Sequence, residues 1–406
     1  MKKIVIAIIL VLLTACCGVN DKSVSPMPAV VSETSSVESC LSPEVNFMYP
    51  LGENNLRPTS EKVLPPLPWE QVVQIPGDDD LGSYALMAMR SNQDEDEIWV
   101  ANTLTHEFKI YRPKTNTWID AGRIDTLMGA FFMVVDHQNR IWIAAPQRDM
   151  QWIYRYQPNT NQFEAVSLDT ISWDSDEYIT DIQADNQGTL WFLIGSYSGR
   201  NYSSSSAQPS AQPPARLYSY NTETFEIKYH PLDFDLMNSL VVFPDDSIGL
   251  ISKEFNETHW SNDLIRYFPA TRATEEYSIF NSIYEYRHHD QFPPRMFLDN
   301  QQHLWFDDRG WAEFSTGQPV TWQAVVPSPV FIDMLEGHGL WYWGHPRFSA
   351  VSADGKLWYS SSRGSGWVDP TLGKWCVFTS YDSNVLADSQ GNLWILVDGW
   401  LYRLEQ

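Results

Sequence analysis

Cysteine and basic residues are both scarce in this chain, and each shortage narrows what it can be. Only four cysteines stand among 406 residues, at Cys16, Cys17, Cys40 and Cys376. None forms a C-x-x-C pair, so zinc-ribbon and thioredoxin-type chemistry have no foothold. Lysine and arginine number 27 against 51 aspartates and glutamates, a formal charge of −24. So acidic a surface repels phosphate backbones, and no nucleic-acid partner is expected. Apolar spacing at i, i+3, i+4 and i+7 is nearly absent, and no apolar run beyond Leu13 could span a bilayer. The G-x-S-x-G, H-E-x-x-H and phosphate-loop patterns are missing too, which leaves the common hydrolase, zincin and NTPase readings without support.

What the chain does have is a repeated turn. Asp388-Ser-Gln-Gly-Asn-Leu-Trp394 recurs as Asp185-Asn-Gln-Gly-Thr-Leu-Trp191, Asp136-His-Gln-Asn-Arg-Ile-Trp142, Asp299-Asn-Gln-Gln-His-Leu-Trp305 and Asp354-Gly-Lys-Leu-Trp358. Degenerate copies end in Glu97-Ile-Trp99 and in Asp246-Ser-Ile-Gly249, where glycine replaces tryptophan. Each copy joins a short apolar run to an aromatic-rich run through a polar turn, the pattern of a tight β-hairpin. A hairpin repeated every 40 to 50 residues or so predicts propeller blades. The fold class expected is therefore all-β, a β-propeller of seven four-stranded blades, with six as the alternative because the Gly249 copy is weak and the unit from Asp299 is irregular.

One unit sets the strand pattern, with Phe131–Asp136, Arg140–Ala144, Trp152–Tyr156 and Gln162–Val166 as strands a to d. The last unit supplies three strands, Asn384–Asp388, Asn392–Val397 and Trp400–Leu404, and lacks a fourth. Trp69–Ile75 reads as the missing strand, brought from the N-terminal side to close the ring and remove an open sheet edge. The repeated Asp and Gly suit the turn, and the repeated Trp suits the wedge between blades. None of those tryptophans is assigned to a site.

Ahead of the propeller, Lys2 and Lys3 precede an apolar stretch from Ile4 to Leu13, as in a secretory leader. Leu13-Thr-Ala-Cys16 resembles the lipobox of bacterial lipoprotein signals, which implies cleavage before Cys16 and a lipid on its sulfur; an ordinary secretory leader is the alternative. The expected organisation is a leader over 1–15, a lipidated tether over 16–66 and the propeller over 67–406. Gly18–Ser42 has no aromatic residue and no period, too little apolar surface to offset chain entropy. The expected address is the extracytoplasmic side of a bacterial cell envelope, with the membrane as a partner through the lipid. A Cys40–Cys376 disulfide is possible in an oxidising compartment.

The D-x-x-G-x-L-W turn followed by Trp400-Leu-Tyr-Arg-Leu404 resembles the repeat of two-component-regulator propellers and of the broader group that includes streptogramin lyases. The likeness covers most of residues 69–406 and implies a propeller fold. Regulator propellers serve as sensor modules ahead of a membrane helix and kinase, and this sequence shows neither. The lyases use a His and a Glu with a divalent metal, but no catalytic motif of theirs maps onto these positions.

Binding residues are expected on one face. The a–b and c–d turns are tight, whereas the b–c and d–a connections are long, and long loops on a rigid scaffold concentrate function. Those loops carry Trp173, Tyr286, His288, His289, Trp341, Trp343 and His345. Four strand-c aromatics, Trp152, Trp311, Trp367 and Trp400, are expected to share one register. The candidate ligand-binding set is Trp173, Tyr286, His288, His289, Trp311, Trp341, Trp343 and His345, suited to a saccharide, peptide or protein partner by stacking beside polar groups. The bland alternative for the tryptophans is loop packing. No metal ligand set and no cofactor are assigned. A divalent ion at His288 or His289 would need Asp174, Asp176 or Glu177 from another loop. A non-catalytic binding protein is the preferred reading; a propeller lyase or hydrolase at the channel mouth, with His288, His289, His338 or His345 as base, is the alternative.

The anchor is directly testable. Cys16→Ala should abolish incorporation of labelled palmitate and shift the protein from the membrane to the soluble fraction. Unchanged labelling would rule out Cys16 as the acceptor.

Overall fold

The computed structural model describes residues 69–405 apart from 78–83, 92–94, 128–130, 146–151, 175–176, 197–214, 235, 253, 257–258, 262, 278–295, 300–302, 307–309, 314–320, 325–346, 353, 362–363, 370–373, 380–383 and 398. Strand β1 (Glu70–Gln74) comes first but belongs to the last sheet. The first sheet is β2 (Tyr84–Ser91), β3 (Asp96–Asn102), β4 (Glu107–Arg112) and β5 (Thr117–Arg123). The second is β6 (Phe132–Val135), β7 (Ile141–Ala144), β8 (Trp152–Gln157) and β9 (Gln162–Ser167). The third is β10 (Glu177–Ala184), β11 (Thr189–Ser196), β12 (Arg216–Asn221) and β13 (Ile227–His230). The fourth is β14 (Leu236–Val242), β15 (Ile248–Ser252), β18 (Leu264–Phe268) and β19 (Ala273–Tyr277). A separate hairpin, β16 (Glu254–Asn256) with β17 (His259–Ser261), is inserted between β15 and β18. The fifth is β20 (Met296–Leu298), β21 (His303–Phe306), β22 (Gly310–Glu313) and β23 (Thr321–Ala324). The sixth is β24 (Arg347–Val351), β25 (Leu357–Ser361), β26 (Gly364–Asp369) and β27 (Lys374–Thr379). The seventh orders β28 (Val385–Ala387), β29 (Leu393–Val397) and β30 (Trp400–Leu404) beside β1. All pairings are antiparallel, and the fold is an all-β β-propeller.

The repeated turn folds the same way at Asp136, Asp185, Asp299 and Asp388. Its first residue donates its backbone N–H to the carbonyl four residues on: Asp136 to Arg140, Asp185 to Thr189, Asp299 to His303 and Asp388 to Asn392, all at 2.9–3.0 Å. The fourth residue takes a left-handed backbone, at φ +59° for Asn139, +90° for Gly188 and +86° for Gly391, which explains the preference for Gly and Asn there. The aspartate then does two jobs. In Asp185, Oδ1 accepts the N–H groups of Gln187 and Thr189 at 2.8 Å, while Oδ2 accepts Trp191 Nε1–H at 2.9 Å. The indole bond repeats from Trp142 to Asp136 at 2.8 Å, Trp305 to Asp299 at 2.9 Å and Trp394 to Asp388 at 3.0 Å. One carboxylate thus fixes the turn and clamps the tryptophan of the next strand.

The tryptophans of these strands, clamped or not, fill the seams between sheets. Trp99 packs with the second sheet's Ile141, Ile143 and Tyr154, and Trp142 with the third sheet's Ile182 and Phe192. Trp191 packs with Leu240, Leu250 and Ile265 of the fourth sheet. Trp394 meets Ile98 and Tyr111 of the first, so the seventh sheet adjoins the first. The first strands touch in sequence from β2 through β6, β10 and β14 to β20, and from β24 through β28 back to β2.

The irregular copies are compensated substitutions. In the fourth sheet Phe243 stands six residues before Gly249, where the other copies have aspartate and tryptophan. A Cβ on Gly249 would lie 2.7 Å from Val241 Cγ1 and 2.9 Å from Phe243 Cε2, so the Phe243 ring occupies that space. Arg266 lies over the Phe243 ring at 4.9 Å and bonds Asp245 at 2.6 Å. In the sixth sheet the residue six before Trp358 is Ser352, not Asp354; Ser352 N–H makes the same bond, to Lys356 O at 2.9 Å. The first sheet instead buries Glu97 between Arg90 and Arg112, and Arg90 reaches Asn139 O of the second sheet's turn at 3.2 Å.

The expected shared register of Trp152, Trp311, Trp367 and Trp400 does not hold. Trp311 and Trp367 face Trp305 and Trp358 across their sheets, but Trp400 faces Val397 and Trp152 precedes Arg155, the residue that faces Trp142. Trp152 and Trp400 each lie three residues before the position that faces the tryptophan of the preceding strand, Arg155 and Arg403.

Asp185→Ala removes the acceptor of three N–H groups, one of them on a buried ring. It should cost about 3 kcal/mol in urea unfolding, given 1–3 kcal/mol for each buried donor left unpaired. Asp185→Asn should recover less than half, because its amide cannot accept on both sides. A loss below about 0.5 kcal/mol, the range of an ordinary surface change, would show that the clamp carries no stability.

Candidate functional site

The register assigns the two faces. Leu404 lies opposite Leu393, which directly follows the Asp388 turn, and Glu70 lies opposite Arg403. The start of β1 and the end of β30 are therefore level with the tight turns. These turns interlock. Ser389 Oγ donates to Asp96 at 2.7 Å, Gln138 Nε2 to Glu223 at 2.8 Å, and Gln187 Nε2 to Asp246 at 2.5 Å. Arg140 also bonds Thr222 of the next sheet. Side chains on this face hold one another.

The opposite face carries the remaining connections, and it is not uniformly long-looped. The first sheet crosses from β3 to β4 through a compact turn, in which Asn102 Oδ1 accepts the N–H groups of Leu104 and Thr105 at 2.9 Å. Between β9 and β10 the connection is ordered by its own polar groups. Asp174 N–H donates to Glu177 Oε2 at 2.8 Å, and Glu177 N–H returns to Asp174 O at 3.1 Å. Glu177 is buried and paired with Arg216, whose guanidinium also donates to Ser172 O at 2.8 Å. Its carboxylate is committed to holding the loop.

Of the predicted binding residues, Trp173 is the one whose side chain is described. It is half-buried against the core between the second and third sheets, and its indole N–H donates to Leu168 O at 3.4 Å. Trp311 lies on β22, paired with Gln323 and Trp305. Tyr286, His288, His289, Trp341, Trp343 and His345 lie outside the described residues, as do His338 and Asp176. Trp152, first residue of β8, is 43 % exposed at the loop-bearing end. No group of three metal-ligating side chains occurs among the described residues, and no described helix is long and apolar enough to cross a membrane.

Two of the strands that lie first in their sheets are apolar and half-buried, Phe132–Val135 on β6 and Met296–Leu298 on β20, whereas β10 carries Glu177, Thr180 and Asp181. The apolar strands offer shape and van der Waals contact. The sequence reading missed one polar constellation, Ser219, His230 and Tyr267, because its members lie on different strands with no shared motif.

No family model and no curated protein matches the chain. Among solved structures, it is similar to the extracellular domain of a hybrid two-component system from B. thetaiotaomicron, with a TM-score of 0.52 and 9 % identity. That match covers 82 % of this chain and 40 % of the other, so the chain spans about two fifths of that regulator domain's length. A gluconolactonase from Xanthomonas campestris is matched at a TM-score of 0.40 and 13 % identity, over 86 % of this chain and 98 % of that one. At these identities the regulator match shows the propeller fold alone.

Two of the described tryptophans at the loop-bearing end, Trp173 and Trp152, should behave differently. Trp173→Ala should lose about 2 kcal/mol in urea unfolding, below the 3–5 kcal/mol of a fully buried tryptophan. Trp152→Ala should stay within about 0.5 kcal/mol of wild type, as exposed positions do. Equal losses would mean that exposure does not distinguish an anchor from a free contact residue.

Proposed function

We propose that this protein is a lipid-anchored, extracytoplasmic β-propeller that binds a saccharide, peptide or protein partner on its loop-bearing face. The observation that carries this reading is the contrast between the two faces of the ring. Side chains of the tight turns bond one another, as Ser389 with Asp96 and Gln187 with Asp246, whereas Trp152 is 43 % exposed at the opposite end of its sheet. The seven four-stranded sheets are read as seven blades of one ring, sealed by β1 in the manner of a closing strand. The regulator-domain likeness, a propeller used outside the cell, fits this address.

The loop-bearing face is also the one with material for recognition. Trp152 is exposed there and Trp173 is half-exposed, and the sequence of the β19–β20 and β23–β24 connections adds Tyr286, His288, His289, Trp341, Trp343 and His345. Flat aromatic faces beside amides and carboxylates bind sugars and peptides by stacking and directed hydrogen bonds.

A thermal-shift screen of the mature protein tests this. A bound saccharide or peptide should raise Tm in proportion to occupancy, with no effect of chelator, and the combined change Trp341→Ala with Trp343→Ala should remove the shift. A shift that requires a divalent ion and vanishes with chelator would overturn the reading in favour of a metal-dependent lyase.

A further inference from the structure

The seam between the third and fourth sheets closes over a buried imidazole that the binding role does not use. His230, the last residue of β13, is 4 % exposed. Its Nε2 lies 2.8 Å from Ser219 Oγ on β12, and its Nδ1 lies 2.9 Å from Tyr267 Oη on β18 of the fourth sheet. The Trp191 ring covers it at a centroid distance of 4.8 Å. Leu217, Leu236, Leu240, Ile265 and Tyr267 form the surrounding core. The chain crosses to β14 directly after His230, and Ala215 bridges Leu236 beside it.

Two hydroxyls satisfy a neutral imidazole in either tautomer, since each can donate or accept. They offer no countercharge to an imidazolium. The charged groups that bear on the ring make matters worse. Lys228 lies two residues earlier on β13, and Arg272 lies in the turn after β18; both are cations. From β18 the facing group is the Tyr267 phenol, kept protonated by burial. From β11 and β12 it is Trp191 and Ser219, and Asp233 on the following segment is exposed to water. Burial, with Lys228 and Arg272 adding to it, lowers the His230 pKa from 6.5 to about 4. A histidine that resists protonation when closed but not when open stabilises the closed form fully at neutral pH. That stability is lost as pH falls from about 6.5 toward 4.

We propose that the Ser219–His230–Tyr267 bridge is an acid-sensitive latch that holds the third sheet against the fourth at neutral pH and releases that seam when His230 takes up a proton. The latch lies at the end of β13 from which the chain turns into β14, so release frees the loop-bearing side of this seam first.

Hydrogen exchange on the full mature protein at pH 7 and pH 5, corrected for intrinsic rates, tests the latch. Opening of β12, β13 and β18 should rise on the order of twentyfold between these pH values, while β7 and β8 of the second sheet stay unchanged. His230→Gln keeps a donor and an acceptor but cannot titrate, and should flatten the response. The same pH response in that variant would overturn the proposal. So would equal opening of the second and third sheets in wild type, a result that stands even where the variant does not fold.

Discussion

The propeller depends on one carboxylate that serves two partners at four of its repeated turns, those of Asp136, Asp185, Asp299 and Asp388. An aspartate with one oxygen on the turn's own N–H groups and the other on an indole N–H couples local geometry to packing between sheets. Without the turn bonds, the second strand would leave at a different angle. Without the indole bond, a large ring would be buried with its only polar atom unpaired, at a cost of about 1–3 kcal/mol. The clamp therefore fixes where the tryptophan goes, and the tryptophan fixes how closely the next sheet approaches. Sequence repetition becomes spatial repetition through this link.

Departures from the pattern show which part of the constraint is physical. In the fourth sheet the aromatic stands at the turn position instead of on the strand, and glycine leaves the space that the Phe243 ring occupies. In the first sheet a buried glutamate between two arginines replaces the clamp, and one of those arginines reaches the neighbouring turn. A buried ion pair gains little over an apolar substitute, yet loses heavily if one partner is removed. That makes Arg90 and Glu97 more useful for fixing position than for adding stability.

These features were not equally legible in the sequence. The Asp…Trp hairpins could be read because turn chemistry and the apolar alternation are local, and β6 to β9 fall within two residues of the expected strands. The closing strand Glu70–Gln74 was legible from a deficit, since the last unit lacks a strand and an unpaired apolar run precedes the first. The Ser352 alignment was misread because an aspartate two residues later looked like the repeat's own. The shared tryptophan register failed for a related reason: residues aligned from strand starts drift when a loop of unknown length precedes the strand. The His230 bridge gave no local signal at all, because Ser219, His230 and Tyr267 meet only after two sheets have docked.

The two faces follow from the same arithmetic of strand direction. Tight turns bring neighbouring side chains within hydrogen-bonding reach, so that face spends its polar groups on itself, as Gln187 with Asp246 and Ser389 with Asp96 illustrate. The other face carries the links within a sheet, such as β3 to β4, and those from the outer edge of one sheet to the inner edge of the next, such as β9 to β10. Recognition can then vary on one face while the ring is held from the other. His230 sits where these two regimes meet, inside a seam built by the clamp at Trp191 and at the end of the strand that leads into a connection. A neutral imidazole preserves the apolar character of that seam, and a protonated one does not. The Ser219–His230–Tyr267 bridge is thus polar, yet it stands where packing demands an uncharged group.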